Sequence, residues 1–196
     1  MIKAVVLDLD GVIRHFDAEF VADVERRHAL EQGSIMAAMF SEPGLTDVTT
    51  GRITREAWVS GIGERLGAPG AAAEWGSQVP HVDPEMLELC DELRARGLTV
   101  AVLTNGTDRI SAEVAEQGIA CRVDHVFNSA EIGHAKPDRR AFDHVLDALG
   151  LEGREVFFAD DSPAKLAGAD EVGMHTHAFV GRRELRQELA RLGVIP

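Results

Sequence analysis

The sequence predicts an α/β protein: a Rossmann-like core with a parallel five-stranded sheet, and a helical lobe inserted after the first strand. Three observations carry this reading. Short apolar runs recur at residues 4–9, 98–103, 123–127, 156–159 and 175–179, and several lack the polar alternation of a half-exposed strand, as strands of a parallel sheet buried on both faces do. Helical patterns separate most of these runs, the alternation from which βαβ units are built. Between the first run and Asp83 the chain carries several helical patterns and no convincing strand, far more residues than a crossover needs. The chain therefore divides into a core of residues 1–13 and 83–196 and an inserted lobe of residues 14–82.

Each element has its own justification. The first run, VVLDLDGVI, ends by holding two carboxylates, Asp8 and Asp10, one residue apart before Gly11. Burying such a pair is costly unless something compensates it. In the lobe, Phe20, Val21 and Val24 form an apolar stripe, while Gly33 and Ser34 mark a stop and a restart. Thr54 caps a helix, with Ile53 and Trp58 placed for a hydrophobic staple around it. The stretch GAPGAAAEWG at 67–76 makes a turn and a small helix. Beyond the lobe, Asp83 caps a helix with Pro84 in its first position, Met86, Cys90 and Leu93 share one face, and Gly97 ends it. KPDRRAFDHVLDALG finishes in the same way at Gly150, and DSPAKLAGADEVGM starts at Asp161 or Ser162 with Pro163 inside.

Composition narrows the function. A chain of 196 residues with 45% hydrophobic content can bury one sizeable core. A formal charge of −13 repels polyanions, so nucleic acid and anionic membrane surfaces are not expected partners. Cys90 and Cys121 are too few for a disulfide framework and read as small buried side chains of a reduced, cytoplasmic protein. The amino terminus offers one basic residue, Lys3, and an apolar run broken by Asp8, so neither a signal peptide nor a membrane span is expected. The scattered histidines, including His175 and His177, and the arginines of the lobe read as structural or solvated groups.

The chemistry gathers at strand ends. Parallel strands deliver their carboxyl ends to one edge of the sheet, where open α/β proteins bind ligands. In sequence order these ends carry Asp8 and Asp10, then Thr104, Asn105 and Gly106, then Lys136 with Pro137, then Asp160 and Asp161. Four carboxylates against one ammonium repel unless a cation joins them, and a hard divalent ion, Mg2+, suits oxygen ligands of this kind. In D-x-D on an extended segment both side chains point the same way. One carboxylate can then attack phosphorus while its neighbour, kept protonated, serves the leaving group as acid and water as base. Thr104, Asn105, Gly106 and Lys136 are the candidates to hold the phosphoryl oxygens.

With DLDGV, TNG, KPD and FADD in this order on four strand ends, the sequence resembles the haloacid dehalogenase superfamily over nearly its whole length. The lobe is similar to the C1 helical cap of that family, GRITREAWVSGIGERLG being a segment often found there. Val12, where most of the family carries Thr, points to the amino-terminal phosphatase domains of epoxide hydrolases and to certain sugar-phosphate phosphatases. The resemblance implies that Asp8 is the nucleophile, Asp10 the general acid and base, and Thr104 and Lys136 the binders of the transferring group, with Asn105 beside them. It also implies that Mg2+ is held by Asp8, the Asp10 carbonyl and Asp161, with Asp160 behind or sharing the role.

Asp10 separates this chain from dehalogenases, whose departing halide needs no proton. A phosphonatase would need a lobe lysine, and the lysines are Lys3, Lys136 and Lys165, none of them there. The expectation is a Mg2+-dependent phosphatase acting on a small phosphate monoester, a sugar phosphate or similar metabolite, through an aspartyl-phosphate. The alternatives are a phosphohexomutase on the same core and a non-catalytic phosphometabolite sensor. A monomer or homodimer is expected, with no macromolecular substrate.

Overall fold

A computed structural model describes all 196 residues. In chain order it contains β1 (Ala4–Leu7), β2 (Arg14–His15), α1 (Ala18–Arg27), α2 (Ser34–Met39), α3 (Gly44–Thr49), α4 (Arg55–Leu66), α5 (Pro69–Gly76), β3 (His81–Val82), α6 (Pro84–Ala95) and β4 (Thr99–Thr104). There follow α7 (Ile110–Glu116), β5 (His125–Asn128), α8 (Ser129–Ile132), α9 (Arg139–Leu149), β6 (Val156–Asp160), α10 (Ala167–Glu171), β7 (His175–Ala178) and α11 (Arg182–Arg191). Five strands form one sheet in the order β5-β4-β1-β6-β7, every neighbouring pair parallel, with Leu7 opposite both Val102 and Ala159. This is the predicted α/β architecture. No helix is long and apolar enough to cross a membrane.

The sheet is buried on both faces, which explains the unbroken apolar runs. Val5 and Leu7 point to one side, where they join Met86, Leu89 and Leu93 of α6 and Leu185 and Leu189 of α11. Ala4 and Val6 point to the other, where Phe142 and Val145 of α9 and Phe158 complete a second cluster. With β1 at the centre of the sheet, the residues that follow it are fixed from both sides.

The helices start and stop largely where the sequence signals lie. The Thr54 side chain accepts from Ala57 N–H, and Asp83 accepts from Glu85 and Met86 N–H. Gly33 precedes α2 and Gly150 follows α9 in left-handed conformations that a side chain would disfavour. Helices α1 to α5 build small apolar clusters of their own around Val24, Ile35 and Ala71 and around Ala38, Ile62 and Ala72, with Trp58 set edge-on to Trp75 at 5.5 Å.

Four details differ from expectation. β1 stops at Leu7, so Asp8 and Asp10 sit on the loop beyond it. The residues after Asp161 form a 3-10 turn, Pro163–Lys165, before α10 begins, because Pro163 starts a tight turn that does not run on as one helix. Cys121 is exposed and Cys90 alone is buried, since Cys121 falls in a turn after α7 and not on a packed face. The two passages between core and inserted helices are paired as antiparallel strands, Arg14 opposite Val82 and His15 opposite His81.

Candidate active site

β1, β4, β5 and β6 end at the same edge of the sheet, and the predicted residues meet there. Asp8 is 1% exposed and Asp160 0% exposed, two carboxylates in the interior of the molecule. Lys136 makes that tolerable: its Nζ lies 2.9 Å from Asp8 Oδ1, 2.6 Å from Asp160 Oδ2 and 2.8 Å from the Leu103 carbonyl. Nζ donates hydrogen bonds to Asp160 and to the Leu103 carbonyl and forms an ion pair with Asp8. Lys136 is thus the internal counter-ion of the two carboxylates.

The loop carrying Lys136 is itself fixed. Asn105 Nδ2 donates to the Lys136 carbonyl at 2.8 Å, and Lys136 N–H donates to Asn105 Oδ1 at 2.8 Å. The amide expected to face substrate instead ties β4 to the lysine loop. Gly106 N–H donates to Ser129 Oγ at 3.1 Å, and a Cβ at Gly106 would lie 2.2 Å from Ile110 Cγ1. Its glycine is required by close packing, and its N–H is likewise turned inward. Thr104 is buried at the end of β4 as expected.

Three carboxylates stand together. Oxygens of Asp8, Asp160 and Asp161 lie within 4.8 Å of one another. Their open valences differ. Asp8 Oδ1 accepts from Leu9 N–H and pairs with the Lys136 ammonium, while buried Oδ2 has no hydrogen-bond partner. Both Asp160 oxygens are taken, Oδ2 by Lys136 and Oδ1 by Ser162 N–H at 2.9 Å. Asp161 is exposed and approaches Gly11 so closely that a Cβ there would fall 2.1 Å from its Oδ2. A buried carboxylate oxygen without a donor, facing two further carboxylates, fits a hard cation.

Asp10 stands apart from that cluster. Its carboxylate is held by Arg14, Nε to Oδ1 at 2.6 Å, and Arg14 Nη1 reaches Glu113 at 3.0 Å and Gln117 at 3.1 Å. The D-x-D pair therefore divides: Asp8 faces the acid cluster, whereas Asp10 is clamped on the crevice side, because the segment is a loop and not extended strand. The side chains expected to face the metal, those of Asp8, Asp160 and Asp161, are the three that cluster, Asp10 having been expected there only through its carbonyl. Burial pushes the Asp10 carboxyl above the usual range, with Arg14 acting against it. Asp8 is also raised, by burial first, with Lys136 opposing and Asp160 reinforcing.

Two participants were not foreseen. Arg14 is the only arginine side chain fully enclosed beside the site, and the signal for it was its position four residues after Asp10. Lys165, counted earlier only as a lysine outside the lobe, brings Nζ to 3.5 Å from Asp8 Oδ2 and 3.8 Å from Asp160 Oδ1. Burial works to lower its pKa, but Asp8, Asp160 and Asp161 outweigh burial and the net direction is up.

Fold and site together define an α/β protein with a parallel sheet and a buried aspartate–lysine centre at its carboxyl edge. The chain belongs to the haloacid dehalogenase-like hydrolases: that family's model matches residues 2–173. It is 32% identical to "Phosphatase MT3486" of Mycobacterium tuberculosis over 99% of this chain and 96% of that protein. It is 28% identical to "Bifunctional epoxide hydrolase 2" of Sus scrofa over 89% of this chain, but the match spans only 36% of that longer protein. Its fold superposes with TM-score 0.76 on the HAD family enzyme BT-2542 of Bacteroides thetaiotaomicron in complex with magnesium and inorganic phosphate, at 24% identity and covering 93% of this chain and 96% of that one.

Proposed function

We propose that the protein is a Mg2+-dependent phosphatase acting on a small phosphate monoester through an aspartyl-phosphate on Asp8. The observation that carries this reading is the unpartnered Asp8 Oδ2, buried beside Asp160 and Asp161 with Lys136 fixed behind it. The relative named a phosphatase over nearly the full chain supports it.

Asp8 and Asp161 would hold the cation directly, since each has an open oxygen, and Asp160, with both oxygens engaged, would stand behind them. When bound, Mg2+ supplies the positive charge that offsets the acids and the phosphate dianion together. The protein's own groups do the rest. Lys136 and Leu9 N–H hold Asp8 in one orientation as it bonds to phosphorus and the ester P–O bond breaks. Asp10, whose carboxyl pKa is raised by burial against the pull of Arg14, would act as the acid that gives a proton to the departing alkoxide and the base that later takes one from the water that cleaves the aspartyl-phosphate. Ester and water thereby become alcohol and phosphate, and both aspartates return to their starting state. The Thr104 hydroxyl and the Lys136 ammonium are the groups of the expected set left to meet the phosphoryl oxygens. Helices α1 to α5, residues 14–82 with their flanks, act as a cap that excludes water during attack.

Phosphate release from p-nitrophenyl phosphate with and without Mg2+ tests this. Turnover should require the metal and fall by roughly 10^3-fold or more in Asp8→Asn. Metal-independent turnover, or an Asp8→Asn variant as active as the parent, would reject the assignment.

A further inference from the structure

A cavity of about 1380 Å³ lies between the helical insert and the catalytic edge, with Asp10, Asn105 and Asp161 in its floor. That is larger than the roughly 300–1,000 Å³ typical of small-ligand sites. Its walls have an unusual chemistry. Four large apolar side chains that the fold leaves in contact with solvent, Phe16 (49% exposed), Met36 (39%), Phe40 (58%) and Val79 (79%), all line this one space. Trp58 and Trp75 line it too. Apolar side chains brought together at the mouth of a polar site mark a place where an apolar body is meant to lie.

The charges in the same walls point the same way. Eight carboxylates line the cavity against three arginines. Arg14 is enclosed, bound to Asp10 and Glu113 and covered by the Phe16 ring, 5.8 Å from its centroid. Arg55 donates to the Gly76 carbonyl. A carbonyl does not neutralise a guanidinium, so Arg55 and Arg109 remain for a second anionic group, against the six lining carboxylates other than Asp10 and Glu113. A carboxylate or second phosphate on the substrate would therefore meet net repulsion.

We propose that the leaving group received here is an uncharged, largely apolar alcohol, making the substrate an alkyl or aryl phosphate monoester and not a carboxylated or doubly phosphorylated metabolite. This rests on the phosphatase reading and replaces its sugar-phosphate expectation.

The test is kcat/KM for phosphate release by the Mg2+-loaded full chain from ethyl, butyl, hexyl and octyl phosphate and phenyl phosphate, beside phosphoglycolate and a sugar bisphosphate. The expected result is a rise of about threefold per added methylene until the cavity is filled, with the doubly anionic compounds roughly tenfold or more below hexyl phosphate. Met36→Glu and Phe40→Glu, at exposed positions where folding is checked by the melting midpoint, should flatten the chain-length dependence. A flat or falling series, an undiminished slope in both variants, or phosphoglycolate turned over fastest overturns the substrate assignment and leaves the phosphatase reading standing. Phosphate release from none of the esters removes both.

Discussion

At the scale of single residues, the two lysines of the site have opposite situations and should respond oppositely to removal. Lys136 is wholly enclosed and compensates two buried carboxylates, so Lys136→Met leaves like charges facing each other in the interior. The expected cost is about 3–5 kcal/mol of folding stability in metal-free buffer, read from urea denaturation. Lys165 is 31% exposed and stands beside the same Asp8 oxygen that has no hydrogen-bond donor. A cation there competes with a divalent ion for Asp8, Asp160 and Asp161. Lys165→Met should tighten Mg2+ binding, measured by calorimetry without substrate, by roughly tenfold after solvent screening. Weaker binding in that variant would show that Lys165 assists the metal. The aspartates, Thr104 and Lys136 were legible in the sequence, because their motifs follow strands that topology must bring to one edge, whereas Arg14 and Lys165 lie outside those motifs and were not. Nor was the division of labour: Asn105 and Gly106 direct their expected donors inward, and only the packed geometry decides which donors stay free.

At the scale of elements, the loops that carry the site are held by short, checkable devices. Gly106 turns the chain between β4 and α7 against Ile110 and Asn128, and a Cβ would fall 2.2 Å and 2.8 Å from their side chains. Gly106→Ala is expected to cost about 1–3 kcal/mol in the urea midpoint and to lower turnover as well, since Thr104 at the end of β4 and Asn105 immediately precede it. Asp138, the last residue of the KPD motif, caps α9 by accepting from Arg140 N–H at 2.9 Å. Asp138→Ala should cost about 1 kcal/mol, and Asp138→Asn much less, because an amide oxygen also caps. The Arg140 side chain and N–H hold the Asp138 carboxyl down at about 2. Its contribution is therefore present above the ordinary carboxylate range and is lost as the pH falls toward 2. The large elements were legible because buried strands and capped helices leave a period or a punctuation mark in sequence. β2 and β3 are two residues each, too short to show any period, and were missed for that reason.

At the scale of the whole molecule, the chain folds around a charge imbalance, and pH should expose it. Burial raises the carboxyls of Asp8 and Asp10 above their unfolded values, with Lys136 and Arg14 opposing. A raised folded value means that the folded state takes up protons before the unfolded chain does. Their full contribution to stability is present below the unfolded value and is lost as the pH rises through the folded one. In EDTA the melting midpoint should consequently rise as the pH is lowered from about 7 to about 5, above the unfolded carboxylate range near 4. Carboxyls with lowered values act in the reverse sense. Glu74, Glu92, Glu155, Glu184 and Glu188 are each held down, by hydrogen bonds to His28, Arg186, Lys3, Arg183 and Arg191 first. These lose their contributions only as the pH falls further, and their exposed pairs are individually weak. A chain of formal charge −13 also gains from reduced self-repulsion on acidification, with metal or without. The comparison that isolates the site is therefore the same pH series with saturating Mg2+. A cation bound among Asp8, Asp160 and Asp161 removes the benefit of protonating Asp8, so the rise should shrink in Mg2+ and the two curves should converge toward pH 5, where protons and metal compete for the same oxygens. Parallel curves at every pH would mean that the cation binds elsewhere.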